Sequence, residues 1–269
     1  MTGSALLQGR TALPAGVEGL RAYTGPDGVA VLVLDRPQRR NALTLAMWQA
    51  LPKTLDLIAE QPGVRALLLT GAAGTFSAGA DIAELAEVYG DPERADAYHA
   101  ENVVAEEALA AFPHPTIAVV HGACVGGGCQ LAVACDLRFG SDGARLGITP
   151  AKLGVVYPAV PTVRLARLVG PGRAKYLLFS GELVSATRAA ELGLLDEVVA
   201  DAELDDRAVE FARLLTKRSP QTIGAVKAAL AGPSAQAAAA IEPWARRSRE
   251  APDVREGLAA FLERREPRF

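Results

Sequence analysis

Apolar and polar positions first fall into a regular order near Leu20. Residues 20–23 and 29–34 are two β-prone runs separated by the turn-rich tetrapeptide Gly25-Pro26-Asp27-Gly28, which predicts a hairpin. Arg36-Pro37 ends the second strand. From Thr44 the spacing becomes helical: Leu45, Trp48, Leu51, Leu55 and Ile58 share one face until Pro62-Gly63 stops the helix, with Pro52 as an expected bend. Residues 66–69 form an apolar run of strand length, followed by a Gly-rich loop and a helical stretch from about Ala80. The order then recurs, with a strand over 116–120, a glycine-started helix over 126–134, and strands over 137–139 and 145–148. Repetition of strand, strand and helix predicts an α/β fold of stacked ββα turns. Beyond Val199 the pattern is helical throughout (204–215, 222–230, the Ala-rich run 235–240, and a last stretch to Arg265), which predicts a separate helical module.

This gives three parts: a leader (1–19) of Gly, Ala and Pro without period, expected to pack poorly; a core (20–200); and a helical region (201–269). The last cannot bury its own apolar positions, so it is expected to associate with neighbouring subunits.

Composition narrows the class. Half of the 269 residues are hydrophobic and 22% are charged, ample for a large core. A net charge of -3 argues against a nucleic-acid-binding surface. The chain contains no uninterrupted apolar run of the ~20 residues needed to cross a bilayer, and no basic and apolar leader pattern, so the expected location is the cytoplasm. Cys124, Cys129 and Cys135 lack zinc-type spacing and are expected to be buried, reduced thiols; no metal site is expected.

Two segments carry the chemistry. In Thr75-Phe76-Ser77-Ala78-Gly79-Ala80-Asp81-Ile82, small residues lead from a strand into a helix and leave backbone N–H groups uncovered. In His121-Gly122-Ala123-Cys124-Val125-Gly126-Gly127-Gly128-Cys129-Gln130, three glycines open an apolar helix. A glycine inside a helix costs roughly 1 kcal/mol relative to alanine, so three in succession need a cause. Either the helix packs tightly on a neighbouring strand, or a ligand oxygen approaches the N–H groups at the helix start, where the dipole favours negative charge. A phosphate cradle is a further option, but no Lys-Ser/Thr pair follows, as a P-loop would require.

Together these segments resemble the A-G-x-D and G-G-G-x-E signatures of the enoyl-CoA hydratase/isomerase (crotonase) superfamily. Asp35-Arg36-Pro37, Asn41-Ala42-Leu43, Asp136, Glu256-Gly257, Ala260-Phe261 and Arg264-Arg265 extend the similarity from about Leu20 to near the C-terminus. The resemblance implies a crotonase-like spiral of ββα repeats with a C-terminal helical trimerisation region, assembled as a homotrimer or dimer of trimers. It also implies an acyl-CoA substrate, with coenzyme A as part of the thioester and no separate cofactor. The family's oxyanion hole falls on the N–H groups of Ala80 and Gly127. Its CoA-contacting segments fall on Arg39, Arg40 and Asn41, on Ala78, Asp81 and Ile82, and on Phe261 and Arg264.

The chain departs from the family where hydratases carry their two catalytic glutamates: here those positions hold Gln130 and Pro150. An amide is no general base near neutral pH, and proline has no side-chain chemistry. Asp81, Glu84 and Asp142 could substitute only if the fold turned them inward, and Asp81 reads as a helix cap. Thr149-Pro150-Ala151-Lys152-Leu153-Gly154-Val155-Val156-Tyr157 resembles the methylmalonyl-CoA decarboxylase branch, including its active-site tyrosine, although that branch has histidine at the Ala80 position and glutamate at the Gln130 position. Loss of CO2 generates an enolate without a base. The expectation is therefore an enolate-stabilising acyl-CoA enzyme, a lyase or isomerase, with Ala80, Gly127, Gln130 and Tyr157 at its centre. The alternatives are a methylmalonyl-CoA decarboxylase-like enzyme and a non-catalytic acyl-CoA-binding protein. His99, His114 and His121 are assigned no catalytic part.

Overall fold

The computed structural model describes residues 5–14, 16–232 and 234–269. In chain order the strands are β1 (Thr11–Leu13), β2 (Leu20–Thr24), β3 (Val29–Leu34), β4 (Ala66–Gly71), β5 (Thr116–Val120), β6 (Ala123–Val125), β7 (Leu137–Ser141), β8 (Arg145–Gly147), β9 (Val184–Ser185) and β10 (Glu197–Val199). The helices are α1 (Leu45–Ala59), α2 (Ile82–Val88), α3 (Pro92–Ala110), α4 (Gly127–Ala134), α5 (Ala159–Val169), α6 (Pro171–Ser180), α7 (Ala186–Leu192), α8 (Leu204–Thr216), α9 (Pro220–Ala231), α10 (Ser234–Glu250) and α11 (Pro252–Glu263).

One sheet runs in the order β1-β2-β3-β4-β5-β7-β10, and a smaller one in the order β6-β8-β9. The β2–β3 hairpin is antiparallel, and from β3 onward the large sheet is parallel. Strands β3 and β5 are buried on both faces, as parallel strands covered by helices must be. Their period of two sorts the core: Ala30, Leu32 and Leu34 of β3 face α1 and α4, while Val29, Val31 and Val33 face α8. Helix α1 starts where the Thr44 side chain accepts from the Met47 amide, and it buries Met47, Trp48, Leu51, Leu55 and Ile58.

Two sequence expectations are corrected. The stretch read as a loosely packed leader carries β1, which pairs antiparallel with β2, and it buries Leu6 beneath the sheet; backbone pairing holds it, and pairing leaves no hydrophobic period to read. Helix α8 is not part of a separate module, because Leu204, Ala208, Val209 and Ala212 fill the second core layer against the sheet. Only α9–α11 stand apart. They are pinned by Lys227, whose Nζ donates to Asp136 Oδ2 (2.7 Å) and the His114 carbonyl (3.0 Å), and by Arg65, which donates to the Arg218 carbonyl (2.8 Å). The outer residues Leu230, Leu258, Phe261 and Leu262 remain exposed. Among the described residues, no helix is long and apolar enough to cross a membrane. The three cysteines are buried and unpaired, and burial pushes the Cys135 thiol up to about 12.

Candidate active site

The two glycine-containing segments lie against each other as a short parallel pair. The Ser77 amide donates to the Ala123 carbonyl (2.8 Å) and the Val125 amide to the Ser77 carbonyl (2.9 Å), matching Ser77 with Cys124. Three residues further along each segment stand Ala80 and Gly127. The contact is main chain on main chain at Gly79, whose φ is +99° and where a Cβ would stand 2.9 Å from the Val125 carbonyl oxygen. At Gly127 a Cβ would stand 2.9 Å from Trp48 Cζ2. Of the two causes for the glycine run, close packing is therefore present in the structure.

It leaves two amides free. Leu43 pairs with Ala80 through its neighbours: the Leu43 amide donates to the Gly79 carbonyl (2.7 Å) and the Asp81 amide to the Leu43 carbonyl (2.9 Å). In that pattern the N–H of Ala80 points away from Leu43. Gly127 is the first residue of α4, so its N–H has no acceptor within the helix. Neither amide meets an acceptor elsewhere among the described residues. Both residues line one cavity of about 90 Å³, together with Trp48, Ala78, Asn102, Gln130, Pro150 and Tyr157.

Sequence-predicted positions divide into those at this cavity and those elsewhere. Ala78, Ala80, Ile82, Gly127, Gln130, Pro150 and Tyr157 all line it, with Ile82 largely exposed at its edge. Arg39 and Arg40 are exposed on the turn whose Arg40 carbonyl accepts from the Ala78 amide (2.9 Å), so two cations stand beside the free-amide segment. Asn41 has a different post. It is fully buried, with Nδ2 donating to the Ala72 and Thr75 carbonyls (2.9 and 2.6 Å) and Oδ1 accepting from the Arg36 amide (3.0 Å). Its side chain is saturated by main chain and clamps the loops; it does not face a ligand. Asp81 likewise caps α2 through the Ala83 amide and pairs with Arg36 at 3.0 Å. Partial burial works to raise its pKa, but the Arg36 hydrogen bond and charge hold it below the usual carboxylate range. Glu84 accepts from the Leu45 amide (2.7 Å). Neither of these acids nor Asp142 lines the cavity. Phe261 and Arg264 are exposed on and just after α11, away from the cavity wall of this chain.

Other features escaped the sequence. Tyr98, Asn102 and Glu106 follow at helical spacing on α3, facing α4, and all are buried. Glu106 Oε1 accepts from Arg164 Nε (2.6 Å) and its Oε2 from Gln130 Nε2 (2.9 Å). Burial pushes this carboxyl up, against the opposing pull of Arg164 and Gln130. His99 lines the cavity; its Nε2 meets the Tyr89 hydroxyl at 2.5 Å, its Nδ1 is enclosed without a partner, and burial lowers its pKa, favouring the neutral ring. The Tyr157 hydroxyl is also enclosed without a partner. Burial, reinforced by Cys129 and Glu106, drives its pKa well up, so the phenol stays protonated. No carboxylate is among the described residues lining the cavity. Its polar groups are therefore the two free main-chain amides, the side-chain amides of Asn102 and Gln130, the phenols of Tyr98 and Tyr157, the His99 imidazole, the Thr149 hydroxyl and the Trp48 indole.

Comparison with known proteins agrees with this frame. Residues 24–269 match the family model for enoyl-CoA hydratase/isomerase. A Thermus thermophilus protein bearing an enoyl-CoA hydratase name is 38% identical over 249 residues, spanning 90% of this chain and 97% of its own length. The human mitochondrial enoyl-CoA hydratase domain-containing protein 2 is 36% identical, spanning 93% of this chain and 88% of its own. The crystal structure of an enoyl-CoA hydratase/isomerase family protein from Hyphomonas neptunium superposes with a TM-score of 0.88 at 36% identity, covering 93% of this chain and 97% of that one. With its ββα core, its paired glycine segments and this similarity along nearly its whole length, the chain belongs to the enoyl-CoA hydratase/isomerase (crotonase) superfamily.

Proposed function

We propose that this protein is an acyl-CoA enzyme that polarises a thioester carbonyl with the amides of Ala80 and Gly127 and stabilises the resulting enolate. The observation that carries the reading is the pair of unused N–H groups on segments held in register over one cavity. Charge developing on the thioester oxygen would meet two fixed donors and the N-terminus of α4, with no reorganisation at the moment of reaction. Arg39 and Arg40 would meet the phosphates of coenzyme A.

With Gln130 and Pro150 in place of glutamates, the cavity lacks the carboxylate that would activate water. Reactions that form the enolate without a base fit better. In decarboxylation of a malonyl-type thioester, the electron pair of the breaking C–C bond flows into the carbonyl and CO2 departs; a proton then quenches the enolate. Tyr157 lines the cavity with its phenol protonated and its hydroxyl enclosed and unpartnered, so a turn of this side chain toward the cavity would let it orient the departing carboxylate. This favours the decarboxylase-like reaction over hydration.

The test is a panel of enoyl-, 3-hydroxyacyl-, malonyl- and methylmalonyl-CoA thioesters, followed for hydration, isomerisation and CO2 release. Turnover of at least one, by a route that needs no carboxylate base, is expected. Binding without turnover of any would replace the enzyme by an acyl-CoA-binding protein, and absence of any thermal shift with CoA thioesters would remove the ligand class.

We further propose that α9–α11 pack on copies of the same chain. Phe261 is 82% exposed and Leu230 78% exposed, more than isolated surface apolar residues explain. Light scattering is expected to give a trimer or a dimer of trimers; a monomer at micromolar concentration would refute this.

A further inference from the structure

Glu106 lies just behind the cavity wall, fully buried, and does not itself reach the cavity. Its two oxygens are both occupied as acceptors, one by the Arg164 guanidinium and one by the Gln130 amide. Arg164 also pairs with Glu107, so α3, α4 and α5 are tied at this point. An ionised carboxylate accepts hydrogen bonds and cannot donate them. With a guanidinium on its other oxygen, Glu106 can meet Gln130 only through the NH2 end of that amide. Gln130 Oε1 is left without a protein partner and is not among the enclosed unpartnered atoms, so it opens on the cavity that Gln130 lines.

We propose that Glu106 is a positioning residue that locks the Gln130 amide with its carbonyl toward the acyl group. The wall at this position is then a pure hydrogen-bond acceptor that selects acyl-CoA thioesters carrying a hydroxyl on the acyl chain. A glutamate at position 130 would be both acceptor and base; a glutamine held in this way keeps the first property and discards the second. The arrangement also resists simple reversion, because Gln130→Glu would place two carboxylates at the 2.9 Å separation now spanned by a hydrogen bond, and they would have to share a proton.

The inference rests on the acyl-CoA reading, and the experiment separates the two. Butyryl-CoA and 3-hydroxybutyryl-CoA, both enantiomers, are titrated calorimetrically into the wild type, Glu106→Gln and Gln130→Met. The wild type is expected to bind one hydroxyacyl enantiomer about tenfold more tightly than butyryl-CoA, the scale of one net hydrogen bond. In Glu106→Gln the neighbour can donate as well as accept, the Gln130 amide is free to turn, and the preference falls to within about twofold while butyryl-CoA affinity is unchanged. Gln130→Met, which keeps the bulk and leaves the Glu106–Arg164 pair in place, loses the preference in the same way, so the result does not depend on one variant folding. Equal binding of the two thioesters by the wild type, or a preference that survives Glu106→Gln, overturns the proposal. Failure of both thioesters to bind the wild type would instead remove the acyl-CoA reading and this inference with it.

Discussion

One wall of the cavity is main chain, contributed by Ala78, Gly79, Ala80, Gly126 and Gly127; the other chemistry comes from side chains, those of Gln130, Tyr157 and His99. The first wall is fixed by packing: side chains at Gly79 or Gly127 would meet Val125 or Trp48 at 2.9 Å, so these positions cannot vary without moving the backbone. The second wall is restrained by side-chain partners instead, as Glu106 holds Gln130. Gln130 carries a side-chain amide there, on a helix that is intact from Gly127 to Ala134. On the proposed reading, the main-chain wall would decide what is done to a carbonyl and the side-chain wall which reaction follows. Family membership speaks for the first and leaves the second to the residues of this chain.

The largest expected effect falls on the main-chain wall. Ala80→Pro deletes one donor whose loss breaks no protein hydrogen bond, and turnover of the best thioester in the panel should fall about 10²–10³-fold in kcat. Steady-state kinetics beside a thermal melt would show it, and an unchanged rate would mean the amide is not used. Next comes Tyr157→Phe. It should slow CO2 release from malonyl-type thioesters at least about tenfold. Because the hydroxyl has no protein partner, stability should stay level or rise slightly; equal rates would take Tyr157 out of the mechanism. Gly128→Ala probes the packing alone. Its Cβ would stand 2.6 Å from Ser77 Cβ, so a denaturant melt should show a loss of about 1–3 kcal/mol. Wild-type stability would argue that the two segments are loosely joined.

The smallest effect lies outside the cavity and serves as a control. His121 Nδ1 and Nε2 meet Asp201 and Asp205 at 2.8 Å each, and the Asp205 hydrogen bond, against partial burial and with help from Asp201, raises the histidine pKa. A raised pKa means a contribution fully present below the ordinary histidine value near 6.5 and lost as pH rises through the folded value. The stability difference between wild type and His121→Gln should therefore shrink on the alkaline side. A difference that grows with pH would contradict the assignment.

The sequence made the frame legible where local pattern and fold agree. The turn over residues 25–28, the apolar strands β4 and β5, the face of α1 and the glycine start of α4 are each set by short-range chemistry. It was silent where partners far along the chain decide. β1 is held by pairing alone, and β9, two residues long, exists only because β8 lies beside it. Glu106 sits next to Glu107 in a helix rich in acids, and only packing shows that the first is buried and the second exposed. Asn41 shows the converse: its motif is legible, but its side chain serves the loops.

The central claim concerns one carbonyl, and infrared difference spectroscopy of butyryl-CoA carrying a ¹³C-labelled thioester carbonyl tests it without knowledge of the reaction. Bound to the wild type, the carbonyl band should move to lower frequency than in water, and Ala80→Pro should return most of that shift. A bound thioester whose band matches that of the free compound in both proteins would contradict the account.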